Sequence, residues 1–332
     1  MTLPEPARYF PLSSGRYEVA AGLRPLGTEF GNGAADDRIF QLDSNYPHYR
    51  EAKLRARAER LETYYPKPSR LEEPLRRAVT KHIAETLARE YPDAFSCSSH
   101  AQGLTLSSRL TSETFMLNED FELLRAESSV EPPYRDALDA FATLLQEDIA
   151  IWRRDPETNE EWLAAIHLCF PNHWAAEDKI GRSFNDVHKP VAGFERLARA
   201  APSIVEGMVF KGPFVRFAWG IGTDRELNHH PRRQFGIRNA EFGMNSGAVH
   251  GRRFNPAQPE LCLRIERQTL TGFPFAGGSL FTIRTYFLDC ATELSPAERA
   301  ALISAIQSMT PESLAYKGLA ESRDAVLKWL ET

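Results

Sequence analysis

The chain has 332 residues, enough for one large or two modest domains and for a core that needs no disulfide or metal staple. Forty Lys and Arg against 45 Asp and Glu give a net charge of −5, which argues against a nucleic-acid binder. No apolar run reaches the ~20 residues of a membrane span, and the N-terminus lacks a basic segment leading into an apolar one, so a cytoplasmic protein is expected.

The first 45 residues are rich in Pro, Gly and turn formers and read as an extended arm. A charged helix with no strong apolar stripe is predicted over 49–62 (Glu51, Lys53, Arg55, Arg57, Glu59, Arg60). The next helix is better specified. Ser69 is its expected N-cap, with Glu72 completing a capping box. Leu71, Leu75, Ala78, Val79, Ile83 and Leu87 then recur at helical spacing until Tyr91 and Pro92 end it. A third helix is predicted over 134–145.

From there the pattern turns to short β-like runs at 148–152, 162–170, 213–219, 261–270 and 280–287. A turn composition, Asp155 to Asn159, joins the first two, and the loop 271–279 joins the last two as antiparallel neighbours. Helices near 174–180, stopped by Gly181, and over 194–209 lie between the second and third strands. Ser295 and Pro296 open a C-terminal helix, and another covers 322–330. The expected class is α+β, built on a five-stranded antiparallel sheet. Residues 1–130 form an arm and helices, 131–290 the core, and 291–332 C-terminal helices.

Cys97, Cys169, Cys262 and Cys290 are far apart and form no C-x-x-C pair, so no iron–sulfur cluster or Cys-rich zinc site is expected on this chain. Gly-rich phosphate loops of the G-x-x-x-x-G-K-[ST] and G-x-G-x-x-G types are missing too.

The last two strands carry the polarity. With Thr271 opposite Ser279, Glu266 faces Arg284, Arg264 faces Tyr286 and Gln268 faces Thr282. One face is then apolar and the other holds carboxylate, guanidinium, phenol and amide groups. Two readings stand: a solvated outer face with weak ion pairs, or the lining of a polar pocket.

Among the histidines, His48, His82, His100 and His250 have no companion at ligand spacing, and the pair His229 and His230 reads as a solvated loop. His167, between Ile166 and Leu168, reads as a hydrogen-bonded core residue. His188 lies on a segment braced by Pro190, where an imidazole suits a single metal bond to a cofactor. Asp186 or a backbone carbonyl would hold its other nitrogen. The alternative is an ordinary loop histidine.

Two blocks resemble the haem-dependent oxidative N-demethylase family. One comprises Phe170, Pro171, Trp174, Lys179, Ile180 and Gly181 with Val187, His188, Lys189, Pro190 and Val191. The other runs through Arg264, Ile265, Glu266, Arg267, Gln268, Thr269 and Leu270 into Phe281 and Tyr286. Gly22, Leu23, Arg24, Pro25 and Leu26, then Phe40, Gln41, Leu42 and Asp43, extend the similarity over most of the chain.

The resemblance implies a PAS-like fold binding haem b, with His188 as axial ligand. It implies the catalytic subunit of a monooxygenase that converts dimethylamine to methylamine and formaldehyde with O2. NADPH, FMN and a 2Fe-2S cluster would sit on a partner reductase, and a tetrahydrofolate-binding subunit would handle formaldehyde. On the polar face Glu266 would hold the cationic amine, Arg264 or Arg284 would polarise oxygen, and Tyr286 would donate to it. A haem-based PAS gas sensor is the alternative of a different class, and a cofactor-free structural subunit is a third.

Overall fold

The computed structural model describes residues 2–232 and 251–332, so His250 lies outside the described residues. The arm contributes one short strand, β1 (Arg24–Pro25), before the first helix, α1 (Tyr46–Tyr64), which is broken at Arg60 (φ −170°, ψ 95°). The charged residues of α1 do not all face water. Arg50, Lys53 and Arg57 recur at three- and four-residue spacing and are buried, so the missing apolar stripe is replaced by a cationic one.

In α2 (Glu73–Glu90) the apolar stripe of Leu75, Val79, Ile83 and Leu87 is fully buried, as its periodicity predicts. Its start is corrected. The N-cap is Glu72, followed by Pro74 in the first turn, while the Ser69 amide donates to the Ala164 carbonyl at 2.8 Å and forms no capping box.

A four-stranded meander that the periodicity reading missed follows: β2 (Phe95–His100), β3 (Gly103–Ser108), β4 (Glu113–Leu117) and β5 (Leu123–Glu127). Leu104, Leu106, Phe115 and Leu117 alternate inward to pack with Val79, Ile83 and Phe141. Next comes α3 (Ala137–Leu144), whose N-cap Asp136 accepts from the Asp139 amide.

The main sheet contains β6 (Asp148–Arg154), β7 (Glu161–His167), β8 (Phe214–Gly222), β9 (Cys262–Phe273) and β10 (Gly278–Asp289). All five predicted strands are present, but the sheet has six, in the order β1-β8-β9-β10-β6-β7, because Arg24 and Pro25 pair with Val215 and Phe214. The fold is therefore α+β, with sheets of six and four strands in place of the expected five-stranded PAS-like sheet.

Between β7 and β8 lie α4 (Phe184–His188) and α5 (Glu195–Phe210), and the helix expected near 174–180 is a single 3-10 turn, Ala176–Asp178. Three helices close the chain: α6 (Pro296–Gln307), opened by a Ser295–Glu298 capping box, α7 (Pro311–Tyr316) and α8 (Arg323–Leu330). None of the described helices is long and apolar enough to cross a membrane.

The register of the β9–β10 hairpin differs from expectation by one residue. Thr271 pairs with Leu280, so Glu266 faces Thr285, Ile265 faces Tyr286 and Arg267 faces Arg284. The cause is the connection. Pro274–Ala276 form a 3-10 turn ended by Gly277 in the left-handed region (φ +62°), which closes the hairpin at Phe273 and Gly278. A one-residue slip moves a whole row of side chains to the other face.

One face of the sheet therefore carries Leu263, Ile265 and Arg267 with Arg284, Tyr286 and Leu288, packed under α2 and the C-terminal helices. The opposite face carries Arg264, Glu266, Gln268 and Leu270 with Phe214, Arg216 and Ala218.

Candidate functional site

His188 ends α4 on this second face. Ser183 caps the helix by accepting from the Asp186 amide, and Lys179 donates to the Val187 carbonyl at 2.5 Å, so both ends of the turn are held. The His188 ring packs against Phe184 (centroids 4.2 Å), Phe194 (5.9 Å) and Trp152 (6.5 Å). Its Nδ1 lies 2.8 Å from the Phe184 carbonyl, which only accepts, so Nδ1 carries the proton and donates. Nε2 keeps its lone pair and makes no hydrogen bond to the described residues. Burial lowers the imidazole pKa to about 4, with the Arg216 and Lys179 charges adding to the effect, so the ring is neutral at physiological pH. Of the two expected partners for its second nitrogen, the carbonyl is the one in place. Asp186 bonds Ser183 instead.

Beside His188 the sheet presents a polar row. Cross-strand pairing places Arg216 against Gln268, Ala218 against Glu266 and Gly220 against Arg264. Gln268 donates to Glu266 at 3.1 Å, and Arg264 Nε lies 3.9 Å from the same carboxylate. Arg264 also donates to the carbonyls of Phe170 (2.6 Å), Leu227 (3.0 Å) and Glu226 (3.2 Å). These bonds tie the backbone at Phe170 and at Glu226–Leu227 to β9. Arg264 Nε, Arg216 Nε and Gln268 Oε1 are all buried without a hydrogen-bond partner among the described residues. Lys317, at the end of α7, reaches the Trp219 carbonyl at 2.5 Å, and burial lowers its pKa to about 8 against the opposing pull of Glu266. Sequence reading missed Arg216 and Lys317. Arg216 shows as a lone cation in an apolar strand, but Lys317 carries no local signal.

Arg284 and Tyr286 are not part of this row. Both point to the opposite face, where Arg284 pairs with Asp43 at 2.6 Å and donates to the Gln41 and Thr285 carbonyls. Tyr286 donates to Gln41 Oε1 at 2.5 Å. A cleft of about 570 Å³ on that side, between the arm and the end of α2, is bordered by Tyr286, Arg38 and Glu90. The Glu90 carboxylate accepts from the Ile39 and Phe40 amides.

Other histidines resolve as follows. His167 is a core residue, as expected, with Nε2 3.1 Å from Asp139. With Asp148 and Cys169 it forms a buried trio at metal-ligand spacing. That trio is already satisfied: Asp148 accepts from the Cys169 and Phe170 amides with Lys53 3.6 Å away, and burial drives the Cys169 thiol pKa up, keeping it protonated. His229 and His230 are corrected from solvated to buried. His229 stacks on His173 at 4.9 Å and bonds Asp224 at 2.9 Å, while His230 lies 3.2 Å from Glu177.

The arrangement is a neutral imidazole offering a free nitrogen from an aromatic wall, next to one carboxylate and several partly unsatisfied cations. No individually curated protein matches the chain significantly. A family description does: haem-dependent oxidative N-demethylase, alpha subunit-like, over residues 32–327. That span covers the end of the arm, strands β2 to β10 and the His188 segment, and on it the chain belongs to the haem-dependent oxidative N-demethylase alpha-subunit-like family.

Proposed function

We propose that this chain binds haem b through His188 and oxidatively demethylates a small secondary amine, with dimethylamine the simplest substrate. The residues present fit the cofactor. An axial imidazole needs one nitrogen free and the other hydrogen-bonded, a macrocycle needs apolar walls, and its carboxylates need cations. His188, the Trp152, Phe184 and Phe194 rings, and Arg216 with its unpartnered Nε meet these needs. The observation that carries the reading is the His188 Nδ1 bond to the Phe184 carbonyl, which leaves Nε2 free.

Haem would supply activation of O2, the step no side chain here can perform. In the overall reaction a methyl C–H and then the C–N bond break. One oxygen atom leaves in formaldehyde, the other as water, and NADPH supplies two electrons through a partner subunit. FMN and a 2Fe-2S cluster on that partner fit the lack of C-x-x-C pairs in this chain, and a tetrahydrofolate-binding subunit would take the formaldehyde. The family's alpha-subunit description agrees with such a division.

Glu266 holds the dialkylammonium ion and takes its proton, since the amine must be neutral to be oxidised. Gln268 and Arg264 fix the carboxylate's orientation. Arg284 and Tyr286 have no part in the site, because the sheet lies between them and Glu266.

The test is optical. Purified protein supplied with hemin should show a stoichiometric Soret band that shifts with dimethylamine, and His188→Ala should lose the band's histidine-ligated form. A wild-type protein that takes up no haem would end this reading. Haem uptake without any response to amine would favour the gas sensor.

A further inference from the structure

A buried polar atom without a partner is costly, so two of them on the wall of one cavity mark the place of a ligand that bonds both. Such a cavity, of about 10 Å³ and so with room for one water molecule, is bordered by His173, Gly220, Asp224, His229 and Arg264. Gly220 pairs with Arg264 as Ala218 pairs with Glu266, so the cavity lies one step along the same sheet face from the Glu266 carboxylate. Arg264 is buried, and its Nε, a donor only, has no partner among the described residues. The Nδ1 of half-buried His173 is likewise buried and unpartnered. The backbone bends to bring that ring in. His173 is left-handed (φ +62°), its amide donates to the His229 carbonyl at 3.1 Å, and its ring stacks on that of His229.

The two atoms define the ligand. It accepts from Arg264 Nε and bonds a neutral imidazole nitrogen, since burial, with the Arg252 charge adding to it, lowers the His173 pKa to about 2. The Asp224 carboxylate on the same wall disfavours an anion, and water fits both atoms. Nε also stands 3.9 Å from Glu266, too far for a direct bond, but two bonds of about 2.8 Å through one water oxygen span that gap. Resting on the function proposed above, we infer that this cavity holds a water which Arg264 Nε and His173 Nδ1 keep in place and which carries protons from solvent to Glu266. His173 is then a positioning residue.

The overall reaction needs such an entry. Dimethylamine, O2, two electrons and two protons give methylamine, formaldehyde and water. The proton that Glu266 takes from the dialkylammonium ion leaves on methylammonium, and NADPH releases its own proton on the partner. Both protons consumed therefore come from solvent. Each enters as the water gives one to Glu266 Oε1 and takes another from outside, and Glu266 hands it on.

The experiment starts with the haem-free protein. A high-resolution crystal structure should show an ordered water within about 3.2 Å of both Arg264 Nε and His173 Nδ1. Two variants then separate the water from the fold. A methyl group at Gly220 meets only Asn172 Nδ2, at an ordinary 3.5 Å, so Gly220→Ala fills the space without strain and should displace the water. His173→Asn tolerates the left-handed backbone, sets a polar atom where Nδ1 stands, and should keep it. In the haem-loaded enzyme Gly220→Ala should lower kcat about tenfold or more and raise the solvent deuterium isotope effect, with amine affinity from the Soret shift unchanged. His173→Asn should stay near wild type in both. An empty cavity in the wild-type crystal overturns the inference, as does wild-type kcat once Gly220→Ala has displaced the water. A slower Gly220→Ala with an unchanged isotope effect marks a structural role and overturns it too. A wild type that takes up no haem ends the proposed function and the proton route with it, while the water site is still decided by the crystal structure.

Discussion

The cations on the two faces of the main sheet differ in depth and in pairing. Arg57 makes a bidentate pair with Asp139 (2.8 and 2.9 Å) and donates to the Pro132 carbonyl. Arg50 pairs with Glu113 at 2.6 Å and Arg284 with Asp43 at 2.6 Å. Each of these has a close acid and donates further to carbonyls, Arg50 also to the Tyr134 hydroxyl. On the other face of the main sheet, half-buried Arg216 has no carboxylate within 4 Å among the described residues, and Glu266 is the acid whose charge reaches it. Arg50, Arg57 and Arg284 are buried, whereas Arg216 is half-buried. Burial and a close acid go together in the first set, and Arg216 has neither.

The comparison can be broken at either end. The largest effect should follow Asp139→Ala, which strands Arg57 in the core. We expect a loss of about 3–5 kcal/mol in chemical denaturation, whereas Arg216→Gln should change the stability of the haem-free protein by under about 1 kcal/mol. Similar losses for both would erase the distinction. Asp139 is held well below the usual carboxylate range, the bonds from Arg57 and His167 overcoming the opposing effect of burial. Its contribution is therefore present above pH ~4 and drains away as acid protonates it.

Next in size, Glu266→Gln should weaken dimethylamine binding and turnover by about tenfold or more, with haem uptake and stability close to wild type. Full turnover in this variant would remove Glu266 from the chemistry. Tyr286→Phe sharpens the face assignment. It should cost about 1 kcal/mol through the lost bond to Gln41, while amine turnover stays at the wild-type level. A collapse of turnover at unchanged stability would put the phenol back in the site.

The smallest effect is a pH dependence. Burial lowers Lys317 from the usual lysine value of 10.5 to about 8. Between those limits the unfolded chain holds a proton that the folded chain has released, so the stability of haem-free protein should rise as pH climbs from about 8 towards 10. Lys317→Met should flatten that rise. Equal slopes in the two proteins would show that the ammonium is not confined as described.

Much of the fold was legible. The period-two runs became β6 to β10, the Leu75 to Leu87 stripe became the buried face of α2, and Ser295 with Glu298 formed the expected capping box. The meander at 95–127 was missed because its strands alternate Leu and Phe with Ser, Thr and charged residues over only five or six positions each. In α1 the periodicity of Arg50, Lys53 and Arg57 was visible, but its burial was not. Their acids and carbonyls lie some 60 to 95 residues away, and no local signal announces such pairings. His188 was legible as a braced imidazole, while its tautomer depended on the carbonyl one turn back.

The sequence by itself determined which segments extend, which coil, and that carboxylate, guanidinium and phenol groups would crowd the last hairpin, since side-chain period and capping are local properties. Tertiary structure alone decided which of those groups share a face. Gly278 is wedged against Leu75 of α2 and the Trp152 carbonyl of β6, and Gly277 turns left-handed just before it. The hairpin therefore closes one residue away from the predicted register, and Arg284 and Tyr286 turn inward to Asp43 and Gln41 while Glu266 faces the imidazole's side of the sheet.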